Sequence, residues 1–265
     1  MLLWTRRSRI AVWTIFAIVV FVVFVAPIAT VVLAGFAGSW TGPLPGDLGL
    51  ARFGQALSGD NLASLSVSLQ TALIAGAFAL VLGTWAALTA KQAPGPVRRI
   101  VDVVFHIPIA IPSVAIGLGL LIAFNSRPLL LGGTKWVVVV AHTVLVMAFA
   151  FSTVGAALER LDPAYAQAAE SLGAGSIRVL RTVTLPLLLP ALGAAAGLAV
   201  ALSMGELGAT VMVYPATWKT LPVTIFGLSD RGEVFSAAAC TTTLLVVTML
   251  ALLVLGRIRG RAALR

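Results

Sequence analysis

One cysteine, two histidines and nine acidic residues are all that this chain of 265 residues carries of the side chains that most often do chemistry. Cys240 lies inside an apolar run and has no second cysteine to pair with, so an internal disulfide is excluded. No cysteine cluster occurs, and no pair of histidines stands four apart, which removes the common transition-metal spacings. The word Gly-x-x-x-x-Gly-Lys-Ser/Thr is missing, so the chain is not expected to hold ATP itself. Asp102, His106, His142 and Glu206 are the ionisable residues within the apolar stretches, and they are too scattered to form a catalytic set, so an enzyme is not expected. Charged residues make up only 10% of the chain, against roughly a quarter in a soluble domain. With 60% hydrophobic residues and a mean hydropathy of +1.06, the composition leaves one class, an integral membrane protein.

The net charge of +9 does not point to nucleic acid. The bases cluster at the chain ends and in short loops, without a basic stripe interleaved with aromatics. Six stretches reach the length of about 20 apolar residues that a membrane-crossing helix needs. They are residues 10–37, 62–90, 100–124, 136–158, 186–213 and 235–255. Arg6-Arg7-Ser8-Arg9 ahead of the first run imitates a secretory signal, but the run far exceeds a signal core of roughly 7–15 residues and reads as a span. With the N-terminus inside, only Arg52, Arg127, Lys135, Lys219 and Arg231 of the 18 bases fall outside, a clear positive-inside bias. The expectation is an all-α integral membrane protein with six transmembrane helices, one domain over residues 1–265 and both termini cytoplasmic. Trp13, Trp40, Trp85 and Trp136 sit near span ends, as interface anchors do. Residues 38–61, rich in Gly and Pro, read as an irregular outer segment, and residues 223–228 as a short amphipathic helix on the outer face after the turn Tyr214-Pro215.

Between the fourth and fifth stretches lies a polar segment that reads as built structure. Asp162 suits a helix N-cap and Pro163 the first helical position. A small-residue helix runs on to Gly173, which can take the left-handed conformation that ends a helix. Ser176 is expected to cap a second short helix leading into Leu185-Pro186 and the membrane. In the third stretch Pro108 and Pro112 break the helical ladder at its inner end, and Gly117 and Gly119 allow close helix approach. Arg98, Asp102 and His106 follow at four-residue intervals on one helix face and read as a local ion-pair ladder. His142, alone in its span, reads as a hydrogen-bonded packing histidine. Glu206 lies about 20 residues beyond Pro186, roughly 30 Å along a helix and near the outer end of its span. A carboxylate there marks a pathway or gate.

The run Gln167-Ala168-Ala169-Glu170-Ser171-Leu172-Gly173-Ala174, with Leu185-Pro186 following, resembles the EAA loop of ATP-binding-cassette importer permeases, with Gln167 where that family usually has Glu. The resemblance implies the type I ABC importer (MetI-like) permease fold, with its core at about residues 62–258 and a cytoplasmic coupling loop at 159–185. It implies that Gln167, Ala168, Ala169, Gly173, Leu185 and Pro186 couple to an ATPase, and that Glu206, Pro108 and Pro112 belong to the pathway or gate. It implies no cofactor for this chain, ATP being bound by the partner subunits. The implied partners are a second homologous permease, two cytoplasmic ABC ATPases, an extracytoplasmic substrate-binding protein and membrane lipid, with no nucleic acid. The implied location is the bacterial inner membrane. Gly83-Thr84-Trp85, Ile111-Pro112-Ser113 and above all the run from Ser203-Met204-Gly205-Glu206 to Phe226 are similar to permeases of 2-aminoethylphosphonate importers. Sulfate or molybdate, iron and thiamine are the alternative cargoes. A secondary transporter, the alternative of another class, would need ion-coupling carboxylates near mid-membrane.

Overall fold

The computed structural model describes residues 6–262. Helix α1 (Arg6–Val20) runs through a π-helical turn into α2 (Ala26–Phe36), and α3 (Ala51–Ala56) precedes the long α4 (Gly59–Gln92). Then come α5 (Gly95–Ala110), α6 (Ser113–Phe124) and α7 (Lys135–Arg160). The short α8 (Pro163–Ser171) and α9 (Ser176–Val179) lead through a second π-helical turn into α10 (Leu185–Met204). Helices α11 (Gly208–Val213), α12 (Leu221–Asp230) and α13 (Val234–Ala262) complete the order. Both π-helical turns, Phe21–Val25 and Leu180–Thr184, stand just ahead of a proline, Pro27 and Pro186. A proline ring would otherwise press on the carbonyl four residues back, and the wider turn relieves that clash without ending the helix.

Among the described residues five helices are long and apolar enough to cross a membrane: Ser8–Phe36, Gly59–Gln92, Lys135–Arg160, Ser176–Met204 and Val234–Arg257. The remaining expected span, 100–124, third in the chain, is not straight. It is the pair α5 and α6, bent by 106° at Ile111-Pro112. Ile111 adopts extended dihedrals, as the residue before a proline prefers, whereas Pro108 stays inside α5. The fifth span also differs from expectation. Its helix begins at Ser176, with Gly175 as an N-cap that makes no side-chain bond, so Ser176 does not cap a separate cytoplasmic helix. It stops at Met204, and α11 follows as a separate helix. The outer segment 38–61 is more ordered than its composition suggests, holding α3 and an antiparallel bridge between Ser39 and Gly46.

The chain forms two compact units. The first comprises residues 6–62 and 224–245. There Arg52 gathers the chain by donating to the carbonyls of Ala37 at 3.0 Å and Gly38 at 3.3 Å and to Ser236 Oγ at 3.1 Å, with its guanidinium over the Phe235 ring. The second unit, residues 63–223 and 246–262, centres on α7. Ala72, Ala75, Gly76, Ala79, Gly83, Ala87 and Ala90 give α4 a buried stripe of small residues at helical spacing. A Cβ on Gly83 would come within 2.8 Å of Phe151 N, so α4 and α7 meet nearly backbone to backbone. Such seams hold helices together by close packing where the surrounding lipid is as apolar as the side chains.

Candidate functional site

Asp162 has extended dihedrals, and its Oδ1 accepts the Ala164 N–H at 2.9 Å, so the cap read from the sequence opens α8 as expected. At the other end Gly173 has φ +84°. Its N–H donates to Glu170 O at 2.9 Å, and Ala174 N–H to Ala169 O at 3.1 Å. Those two bonds together are the Schellman stop, which satisfies the last carbonyls of the helix. Between the caps, Gln167 and Ala168 are exposed and Ala169 is half-buried, while the Gln167 carbonyl accepts Ser171 Oγ at 2.8 Å. Leu185 is half-buried and Pro186 exposed, inside the continuous helix from Ser176 rather than at its start. Around the loop Tyr165, Leu172 and Ile177 stand exposed, Leu172 at 89%. The doubly capped helix thus lies beside exposed apolar side chains of the same loop.

The second set of sequence-predicted residues falls at two helix breaks that meet. A Cβ on Gly117 would lie 2.7 Å from Ala209 Cα, and one on Gly208 would clash with Ser113 Oγ. The start of α6, capped by Pro112, is therefore pressed against the start of α11. Glu206 is in the second break, half-buried, and its Oε1 accepts the Ala209 N–H at 2.8 Å, satisfying an orphan donor of α11. Pro108 lies within α5, before the bend.

A feature that sequence reasoning only half reached fastens the same junction. His142 of α7 is buried, with Nδ1 at 2.7 Å from Ser203 Oγ and Nε2 at 2.8 Å from Thr210 Oγ1. Ser203 lies before the break and Thr210 after it, so one imidazole ties both sides of the discontinuity to α7. The packing role was legible, but its partners are 61 and 68 residues away in the chain, and no local signal names them. Nearby Thr71 Oγ1 accepts Trp218 Nε1–H at 2.9 Å, and Ser68 Oγ accepts the Leu221 N–H at 2.7 Å, fixing the turn that follows α11 to α4. The ladder on α5 is also more than local. Arg98 approaches Asp102 at 4.0 Å but also pairs with Glu159 of α7, while His106 Nδ1 meets the Asp102 carbonyl rather than its carboxylate. Among the described residues no group of three or more His, Cys, Asp or Glu is arranged to hold a metal.

Comparison with known proteins agrees with this architecture. A candidate 2-aminoethylphosphonate transport system permease protein of Salmonella paratyphi A is 43% identical over 261 residues, covering 98% of each chain. The molybdenum transport system permease protein of Escherichia coli K12 is 31% identical over 71% of this chain and 89% of its own. Among solved structures, a bacterial alginate ABC transporter in complex with an alginate pentasaccharide-bound periplasmic protein superposes with a TM-score of 0.77. It is 17% identical and is covered to 96%, with 97% of this chain, which bears on the fold alone. The family of binding-protein-dependent transport system inner membrane components matches residues 79–262. The chain belongs to that family, as a permease subunit of an ABC importer with the MetI-like fold, and is a membrane transport component rather than an enzyme.

Proposed function

We propose that this permease serves an ATP-driven importer of 2-aminoethylphosphonate. It would work beside a second homologous permease, on two cytoplasmic ATPases, with an extracytoplasmic binding protein that delivers the cargo. Both termini and the α8 loop face the cytoplasm in this reading, which the distribution of Lys and Arg supports. Residues 1–5 and 263–265, with Arg265 among the counted bases, lie outside the described residues. The observation that carries the mechanism is α8, closed at both ends by caps, with Tyr165 and the C-cap Leu172 exposed and Ile177 of α9 exposed beside them. ATP binding would close the ATPase pair and draw the two coupling helices together, opening the pathway outward, and hydrolysis would reverse it. The cargo assignment draws support from the full-length likeness to the aminoethylphosphonate permease, set against a shorter and weaker likeness to the molybdenum permease.

Glu206 takes a conformational role here. Its carboxylate is engaged with the α11 backbone, which supports a part in holding the helix break over a part in reading the cargo's ammonium. The test is uptake in cells that depend on this transporter for phosphorus. Growth on 2-aminoethylphosphonate is expected, with Glu206→Gln reducing its uptake as much as uptake of a phosphonate lacking the amine. Selective loss of the amino compound would make Glu206 a cargo contact. No phosphonate uptake by the intact system, with molybdate or sulfate uptake in its place, would overturn the cargo assignment.

A further inference from the structure

A cavity of about 370 Å³ opens where α5 and α7 meet the end of α4, on the side that the charge distribution places toward the cytoplasm. Ionisable groups of both signs line it: Lys91, Arg98, Asp102, His106 and Glu159. The gathering is notable in a chain with only nine acidic residues. Arg98 occupies the middle, paired with Glu159 across the helices and 4.0 Å from Asp102 on its own helix. Lys91 gives one bond to Leu158 O at 2.8 Å, and an ammonium carries three donors, so two more are available to a ligand. His106 uses Nδ1 on the Asp102 carbonyl at 2.7 Å, and its ring stands edge-on to Phe151. On the α7 wall a Cβ at Gly155 would meet no atom within 4 Å, so the backbone itself borders the empty volume.

An ion pair that served only to join two helices would be expected to close on its neighbours. This one borders a space of many water volumes, since a water occupies about 30 Å³ in the liquid. A simple anion would match Lys91 and Arg98 but lie against two carboxylates, and a simple cation would meet the reverse conflict. A ligand carrying both signs a short distance apart satisfies both sets, the anion on Lys91 and Arg98 and the ammonium on Asp102 and Glu159.

We propose that this cavity binds a small zwitterion that carries an ammonium and a phosphonate or phosphate group. That chemistry has two sources. One is free 2-aminoethylphosphonate on the cytoplasmic side, an arm that rests on the cargo reading above. The other is the headgroup of an ethanolamine phospholipid, because the cavity lies toward the membrane surface in the proposed topology.

The experiment measures direct binding to the assembled transporter, without its binding protein, in nanodiscs of phosphatidylcholine. The probes are 2-aminoethylphosphonate, ethylphosphonate and ethanolamine. The zwitterion is expected to bind at least about tenfold more tightly than either half. Gly155→Leu, which fills the cavity without changing a charge, and Glu159→Gln, at the exposed end of α7, should each weaken it about tenfold. Replacing half of the phosphatidylcholine with phosphatidylethanolamine distinguishes the sources. A several-fold weaker apparent affinity marks the headgroup as the occupant, and an unchanged one marks the free zwitterion. Equal affinity for the three probes, no binding, or binding unaffected by either substitution overturns the site. Failure of 2-aminoethylphosphonate uptake by cells sinks the cargo reading alone, because cavity-dependent probe binding is read without transport. Normal uptake without cavity-dependent binding sinks this site alone.

Discussion

The helix Ser8–Phe36 and helix α7 are both long enough to cross a membrane, yet their surroundings are opposite. The first is the more apolar of the two, and none of its apolar core is buried within the chain, while 61% of that of α7 is. In water the ranking would be reversed, because burial follows hydrophobicity. In lipid the hydrocarbon outside is as apolar as the protein inside, so apolarity gives a helix no reason to move inward. What distinguishes α7 is size and polarity. Ala141, Ala148 and Ala150 let its neighbours approach, and His142 and Thr143 are buried on hydrogen bonds. The first helix carries Ile15, Phe16, Val22 and Phe24 outward instead. On the buried face of α7 small and polar residues stand among valines, Phe151 and Leu158, so apolarity alone does not mark the interior.

His142→Ala should break this contrast most severely. It leaves a cavity and strips both Ser203 and Thr210 of a buried partner, a loss of about 3 kcal/mol. The larger truncation Phe24→Ala, on the exposed first helix, should cost less than about 0.5 kcal/mol. Thermal unfolding of the purified permease compares the two. A larger drop for Phe24→Ala would show that bulk on the first helix, rather than hydrogen bonding on α7, holds the molecule.

Gly83→Val comes next. Its Cβ would have to displace the α7 backbone at Phe151 N, 2.8 Å away, at a cost of about 2 kcal/mol. The expected result is a lower unfolding temperature with the topology intact. Stability equal to wild type would mean that the seam has slack the close approach does not suggest.

The contrast also explains what could be read in advance. The straight spans were legible because a run of some 20 apolar residues has few other uses. The α8 loop was legible because capping is local chemistry, in which Asp162 and Gly173 each act within a few residues of their own position. In the third stretch the break expected at Pro112 is present, whereas the one expected at Pro108 is not, since Pro108 offers the same local signal and yet stays inside α5. The reach of Arg98 to Glu159 and of His142 to Ser203 and Thr210 joins residues 61 to 68 apart, beyond any periodic pattern.

Gly173→Val sharpens the comparison from the exposed side. At φ +84° a β-branched residue costs about 1 kcal/mol or somewhat more, and the strain is confined to the α8 turn. Unfolding should shift least of the three destabilising changes, while ATPase co-purification and uptake fall sharply. Wild-type uptake by this variant would reduce the loop to a linker.

The bend in the third apolar stretch has a mechanical consequence. Helix α6 is locked to α11 by the Gly117 contact, so it cannot follow α5 freely. The 16 residues of α5 form an arm about 24 Å long beyond the bend at Ile111-Pro112, resting on α7 through Phe105 and Phe151. A swing of about 10° would carry the far end of that arm about 4 Å, by the same helical rise. Arg98 is near that end and Glu159 is on α7, so a rotation of that size would part the pair. Such a swing would make the ion pair a gauge of angle, closed in the present orientation of the arm and open in the other.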